Sequence, residues 1–148
     1  MKKTIIALML LIPGGLLVAQ NGRHRAPEKV QQTFQNEYPD AKRTNWSMSN
    51  GQWHADFKDR DHGEMVAHYN RNGEHIDSHI PFDRQDVPAP VIEKVKSRYH
   101  DGRDFRYTKI ERRGENNLYQ VRVHHHGRER IIYLDDHGEE RKYTDRHY

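Results

Sequence analysis

The chain has 148 residues and no cysteine. Disulfide staples, cysteine-pair metal motifs and lipid attachment at a cysteine are excluded, so packing alone has to hold the fold. Apolar residues are scarce too. Only 33% are hydrophobic and the mean hydropathy is −1.19, which leaves a thin core under a heavily charged surface. Signatures of catalysis are also missing. The sequence contains no glycine-rich phosphate loop, no nucleophile elbow and no His-Glu-x-x-His. No reaction is expected of it, and no cofactor.

Long apolar runs are absent except near the N-terminus. Residues 4–18 are uncharged and mostly apolar, interrupted by Pro13, Gly14 and Gly15. Lys2 and Lys3 precede them, and charge returns at Arg23. A basic head, an apolar middle and a polar exit read as a secretory signal. The stretch is too short and too broken for a transmembrane helix. We read 1–19 as a signal peptide cut after Ala19, and 20–26 as a flexible lead-in. The expected location is periplasmic or secreted, with no membrane span after cleavage. Of 25 Lys+Arg, Lys2 and Lys3 leave with the signal, so 23 remain against 22 Asp+Glu. With both signs interspersed, the mature chain lacks the one-signed charge that a nucleic-acid partner requires.

What remains is regular rather than disordered, with 8 Tyr, 4 Phe and 2 Trp placed at recurring positions. Pro27 opens a helix in which Val30, Phe34 and Tyr38 form one stripe, and Pro39 ends it. A strand around Trp46 follows, then Asn50-Gly51, a hairpin signal. Trp53, Ala55 and Phe57 alternate with His54, Asp56 and Lys58, the period of a half-buried strand. Met65, Ala67 and Tyr69 alternate with Val66 and His68. The turn Asn70-Arg71-Asn72-Gly73 leads to a last strand from His75 to Ile80.

The pattern then begins again. Val91, Val95 and Tyr99 follow Pro88 and Pro90 with the spacing of the first stripe. Tyr119, Val121 and Val123 alternate as Trp53, Ala55 and Phe57 do, and Ile132 and Leu134 correspond to Ala67 and Tyr69. Asp135-Asp136-His137-Gly138-Glu139 answers the turn before Glu74. The expectation is an α+β fold of two tandem helix-plus-four-strand units, 27–82 and 88–143, joined by a linker at 83–87. Together they form an antiparallel sheet with both helices on one face.

These features resemble the exported PepSY-like proteins, a family similar to beta-lactamase inhibitory protein. The residues that carry the likeness are Glu37-Tyr38-Pro39-Asp40-Ala41, Trp46, Trp53-His54-Ala55-Asp56-Phe57 and Tyr69-Asn70-Arg71-Asn72-Gly73-Glu74. In the second unit they are Val87-Pro88, Tyr99, Tyr119-Gln120-Val121-Arg122-Val123 and Asp135-Asp136-His137-Gly138-Glu139. The likeness spans 26–143 and rests on turn and core positions. It implies a tandem α-β4 architecture, export, and a binding or inhibitory role. The absence of cysteine and the 12 His depart from that inhibitor, and no inhibitory loop can be matched residue by residue.

The sheet face away from the helices is expected to bind an envelope protein or peptide. Its candidate residues are His54, Asp56, Lys58, Val66 and His68, with Gln120, Arg122, His124, Ile131 and Tyr133 from the second unit. Exposed apolar and aromatic groups among charges, with arginine, suit recognition. The alternative is a His-rich metal-binding or metal-buffering protein that takes Zn, Cu or Ni weakly at His54, His68, His124, His125 and His126. Three consecutive histidines on a strand cannot all face one way: His124 shares the face of Arg122, and His125 points opposite. Asp56, Asp59 and Asp61 near His62 read as a charged hairpin end, and 135–138 as an ordinary turn without a calcium loop's distal Glu.

Overall fold

The computed structural model describes residues 25–143. The expected signal, 1–19, and the first five residues of the lead-in lie outside the described residues. Two proline-led helices of equal length set the frame, α1 (Glu28–Glu37) and α2 (Ala89–Arg98). Each buries two residues of its stripe, Val30 and Phe34 in α1, Val91 and Val95 in α2. Each closes alike: the amide of Tyr38 donates to the Phe34 carbonyl at 2.8 Å, and that of Tyr99 to the Val95 carbonyl at 2.9 Å.

Seven strands form one antiparallel sheet in sequence order. They are β1 (Lys42–Ser49), β2 (Gln52–Asp59), β3 (Gly63–Tyr69), β4 (His75–Phe82), β5 (Arg103–Glu111), β6 (Leu118–His125) and β7 (Arg128–Asp135). Alternation puts Trp53, Ala55, Phe57, Met65, Ala67, Tyr69 and Ile80 under α1. It puts Tyr107, Tyr119, Val121, Val123, Ile132 and Leu134 under α2. Phe34 is the hub of the first group, with its ring 5.0 Å from Phe57 and 5.3 Å from Trp46. Phe82 packs against both groups, and β4 pairs with β5, so the two halves share one sheet and both helices lie on its inner face.

Matched turns bind each strand pair to its helix. Asn70 Oδ1 accepts from the amides of Asn72 and Glu74, and Asp135 Oδ1 accepts from those of His137 and Glu139. Gly73, at φ +80°, lies against the Lys29 backbone, and Gly138, at φ +76°, against the Pro90 carbonyl.

The expected fourth strand of the second unit is absent among the described residues. Past the 135–139 turn only Glu140 bridges to Leu134. The reason lies at the sheet edge. In the first half β4 is held between β3 and β5, whereas the segment after β7 has a neighbour on one side only. It makes one further ladder bond, from the Arg141 amide to the Tyr133 carbonyl at 2.9 Å. Its tyrosine, Tyr143, then turns onto the outer face.

Candidate functional site

The outer face is ordered by the strand register. His54, His68 and Asp77 form one row across β2, β3 and β4. Asp56, Val66, His79, Ile110 and Leu118 form the next, across β2 to β6. Pro81, Thr108, Gln120 and Tyr133 make a third, and Arg106, Arg122 and Ile131 a fourth. All ten residues expected on this face except His68 are half-buried or exposed, while their alternating neighbours fill the core.

His68 departs from the expectation of an exposed site because it is buried. Its ring stands between those of His54, at 4.3 Å, and His79, at 4.7 Å. Its Nδ1 is 2.7 Å from Asp77 Oδ1, and His79 Nε2 is 3.4 Å from the same oxygen. The second oxygen, Oδ2, accepts from Arg112 Nε and Nη2, both at 3.3 Å, and from the Tyr143 hydroxyl at 3.1 Å. Burial by itself would push the Asp77 carboxyl up. The hydrogen bonds and charge of His68 and His79 outweigh it and hold the group well below the usual carboxylate range.

Tyr143 is the lid of this cluster. Its ring stacks on Tyr133 at 5.0 Å, and the Arg112 guanidinium lies over it at 4.8 Å. The face expected to be open is therefore open in part. Its first half carries a covered polar cluster, and its second half presents Gln120, Arg122, Ile131 and Tyr133. Gln120 donates to the Tyr133 hydroxyl at 3.0 Å, Arg122 lies 3.7 Å from Glu129, and Ile131 is 44% exposed. Beside them is a shallow hollow of about 940 Å³ whose walls include Pro81, Arg84, Arg106, Thr108 and Arg122.

The five histidines named as candidate metal ligands separate into two places. His54 and His68 lie on β2 and β3, while His124 and His125 end β6, three strands away from β3, and His126 follows directly. His124 is exposed on the outer face, and His125 points inward against Tyr99, ring to ring at 5.1 Å. His126 occupies the turn to β7 with φ +49°. Near His62, Asp59 Oδ1 accepts from the amides of Asp61 and His62 and lies 2.8 Å from the His62 ring, which makes it a turn cap.

Asp77, His79, Arg112 and Tyr143 were not among the expected site residues. The alternation of His75, Asp77 and His79 is visible in the chain, but it suggests one shared face. A bulge between the pairs His68–Asp77 and Tyr69–His75 inserts Ile76 and sends His75 inward. His75 accordingly lies against Tyr69, at 5.3 Å. Arg112 and Tyr143 reach the cluster only through tertiary folding.

No protein-family model matches the chain, and no curated protein matches it at a significant level. Solved structures do. A protein from Bacteroides eggerthii, described as "putative periplasmic", aligns with a TM-score of 0.74 at 20% identity, over 80% of this chain and 87% of that one. A DUF2874 family protein from Bacteroides uniformis gives 0.73 at 19% identity, over 80% and 88%. A BLIP-like protein from Bacteroides fragilis gives 0.65 at 16% identity, over 84% and 93%. The chain thus shares its α+β fold, a seven-stranded antiparallel sheet with two helices, with DUF2874 family and BLIP-like proteins.

Proposed function

We propose that the chain is an exported cell-envelope binding protein, periplasmic or secreted, that recognises a protein or peptide through the outer face of its sheet and catalyses no reaction. The observation that carries this reading is the second half of that face. Arg106, Arg122, Ile131 and Tyr133 stand on three adjoining strands with no helix over them among the described residues, and arginine and tyrosine beside exposed aliphatic surface favour protein contacts. The signal-like N-terminus and the likeness to proteins described as "putative periplasmic" and BLIP-like support export and a protein partner. The resemblance of the turn and core positions to those of PepSY-like proteins supports the same role. No helix among the described residues is long and apolar enough to cross a membrane.

The test is capture from envelope extract, with the captured protein identified by mass spectrometry. The wild type and a helix-side control, Lys94→Ala with Lys96→Ala, retain one partner. Arg122→Ala with Tyr133→Ala loses at least nine-tenths of it. Undiminished capture by that double variant would remove the outer face from the assignment.

A further inference from the structure

The geometry points to a divalent transition-metal site at Asp101, His125 and His126, suited to an ion such as Zn²⁺ or Cu²⁺. It is independent of recognition through the outer face. The site lies at one end of the sheet, where the chain leaving α2 meets the β6–β7 turn. That turn has two residues, His126 and Gly127, because His125 pairs directly with Arg128. Both central residues have positive φ, +49° at His126 and +72° at Gly127. Such turns favour Asn-Gly, and the chain's own Asn50-Gly51 adopts the same shape, at +51° and +78°. A histidine in the asparagine position takes a left-handed conformation that is uncommon outside glycine. The left-handed backbone turns its ring back toward that of His125, and the ring centroids are 4.0 Å apart.

Both rings converge on one carboxylate. His125 Nε2 is 2.8 Å from Asp101 Oδ1, and His126 Nε2 is 3.6 Å from Asp101 Oδ2. One donor atom from each of the three residues lies within 4.8 Å of the others. Ligands about 2.1 Å from an ion stand about 3.0–3.5 Å from one another, so small side-chain rotations suffice. Two imidazoles and a carboxylate are the borderline donor set that divalent Zn and Cu prefer. The remaining coordination positions face solvent, since His126 is exposed.

Charge separates this cluster from the other one, His68, Asp77 and His79. There the Arg112 guanidinium already neutralises the carboxylate in a buried setting, which opposes a dication. At Asp101 the ion pairs among the described residues are with the two histidines alone. Arg103 borders the same hollow, but so does Asp104.

Calorimetric titration of untagged protein with Zn²⁺ at neutral pH tests the site, with Cu²⁺ titration followed by histidine-ring NMR signals as a second measurement. The informative variant is His126→Asn, which removes a ligand while restoring the residue that the turn geometry favours. Its thermal midpoint without metal equals or exceeds that of the wild type. Wild-type protein binds one ion at this site, and both His126→Asn and Asp101→Asn weaken it at least tenfold. Binding disappears near pH 5, as the imidazoles protonate. Cu²⁺ broadens His125 and His126 before any other ring. Absence of saturable binding overturns the site. So does affinity that survives in either variant, or that is lost in His79→Gln instead.

Discussion

Asp77 is 1% exposed and bonded on both oxygens, and the Arg112 side chain that faces it is 8% exposed. Removing the carboxylate's charge takes from the buried guanidinium its closest counter-ion and leaves it Glu115, 3.8 Å from Nη1. Asp77→Asn is expected to cost about 3–5 kcal/mol at pH 7, measured by denaturant unfolding. The sign of the pH effect follows from the lowered pKa. A carboxylate held below its ordinary value stabilises the fold fully above the unfolded value of about 3.9, and that contribution is lost as pH falls through and below it. Wild-type stability therefore begins to fall below about pH 5 and falls most steeply below about pH 4, continuing as the medium becomes more acidic, and Asp77→Asn shows a shallower decline. Equal acid slopes in the two proteins would mean that the acid sensitivity originates elsewhere.

At the level of elements, the glycine turns fasten each strand pair to a helix start. A methyl group on Gly138 would stand 2.6 Å from the Pro90 carbonyl oxygen and 2.9 Å from its carbon. Both are backbone atoms, so α2 itself has to move. At Gly73 the nearest backbone atoms, those of Lys29, lie 3.2 and 3.3 Å away. Both glycines also have positive φ, which alone costs about 1 kcal/mol or more for alanine. Gly138→Ala should thus destabilise by about 2–4 kcal/mol and Gly73→Ala by about 1–2 kcal/mol, read from denaturant midpoints. The reverse order would show that the second helix yields more easily than its packing suggests.

These turns, like the helix stripes, are legible in the sequence because their signals are local. Val30, Phe34 and Tyr38 repeat every four residues, and Gly before Glu marks each turn. The alternation of Trp53, Ala55 and Phe57, and of Tyr119, Val121 and Val123, gives the inner face correctly, since strand period alone decides it. β5 is hard to read: Arg103, Asp104, Arg106, Lys109 and Glu111 dominate it, and a bulge lies between Arg103 and Arg106. The candidate site is least legible where it depends on distance in the chain. Tyr143 meets Asp77 across 66 residues, and no local pattern announces that contact.

For the whole molecule the question is whether two helix-covered cores behave as one. Each core is small, but the β4–β5 ladder runs between them through five residue pairs, and Phe82 touches both. Unfolding one half would strip Phe82 and one edge of the β4–β5 pair of their partners, so the halves should unfold together. The chain carries a convenient reporter, because both tryptophans, Trp46 and Trp53, belong to the first half. Phe34→Ala, which empties the centre of that half, is expected to cost about 3–5 kcal/mol, and Val95→Ala in the second half about 1–3 kcal/mol. Tryptophan fluorescence and far-ultraviolet circular dichroism should give coincident denaturant transitions in the wild type and in both variants. The decisive case is Val95→Ala. Its cavity lies under α2, remote from either indole, yet it should move the tryptophan transition as far as the dichroism transition. If the fluorescence midpoint stayed at the wild-type value while the dichroism split into two steps, the halves would be separate folding units joined by a weak seam.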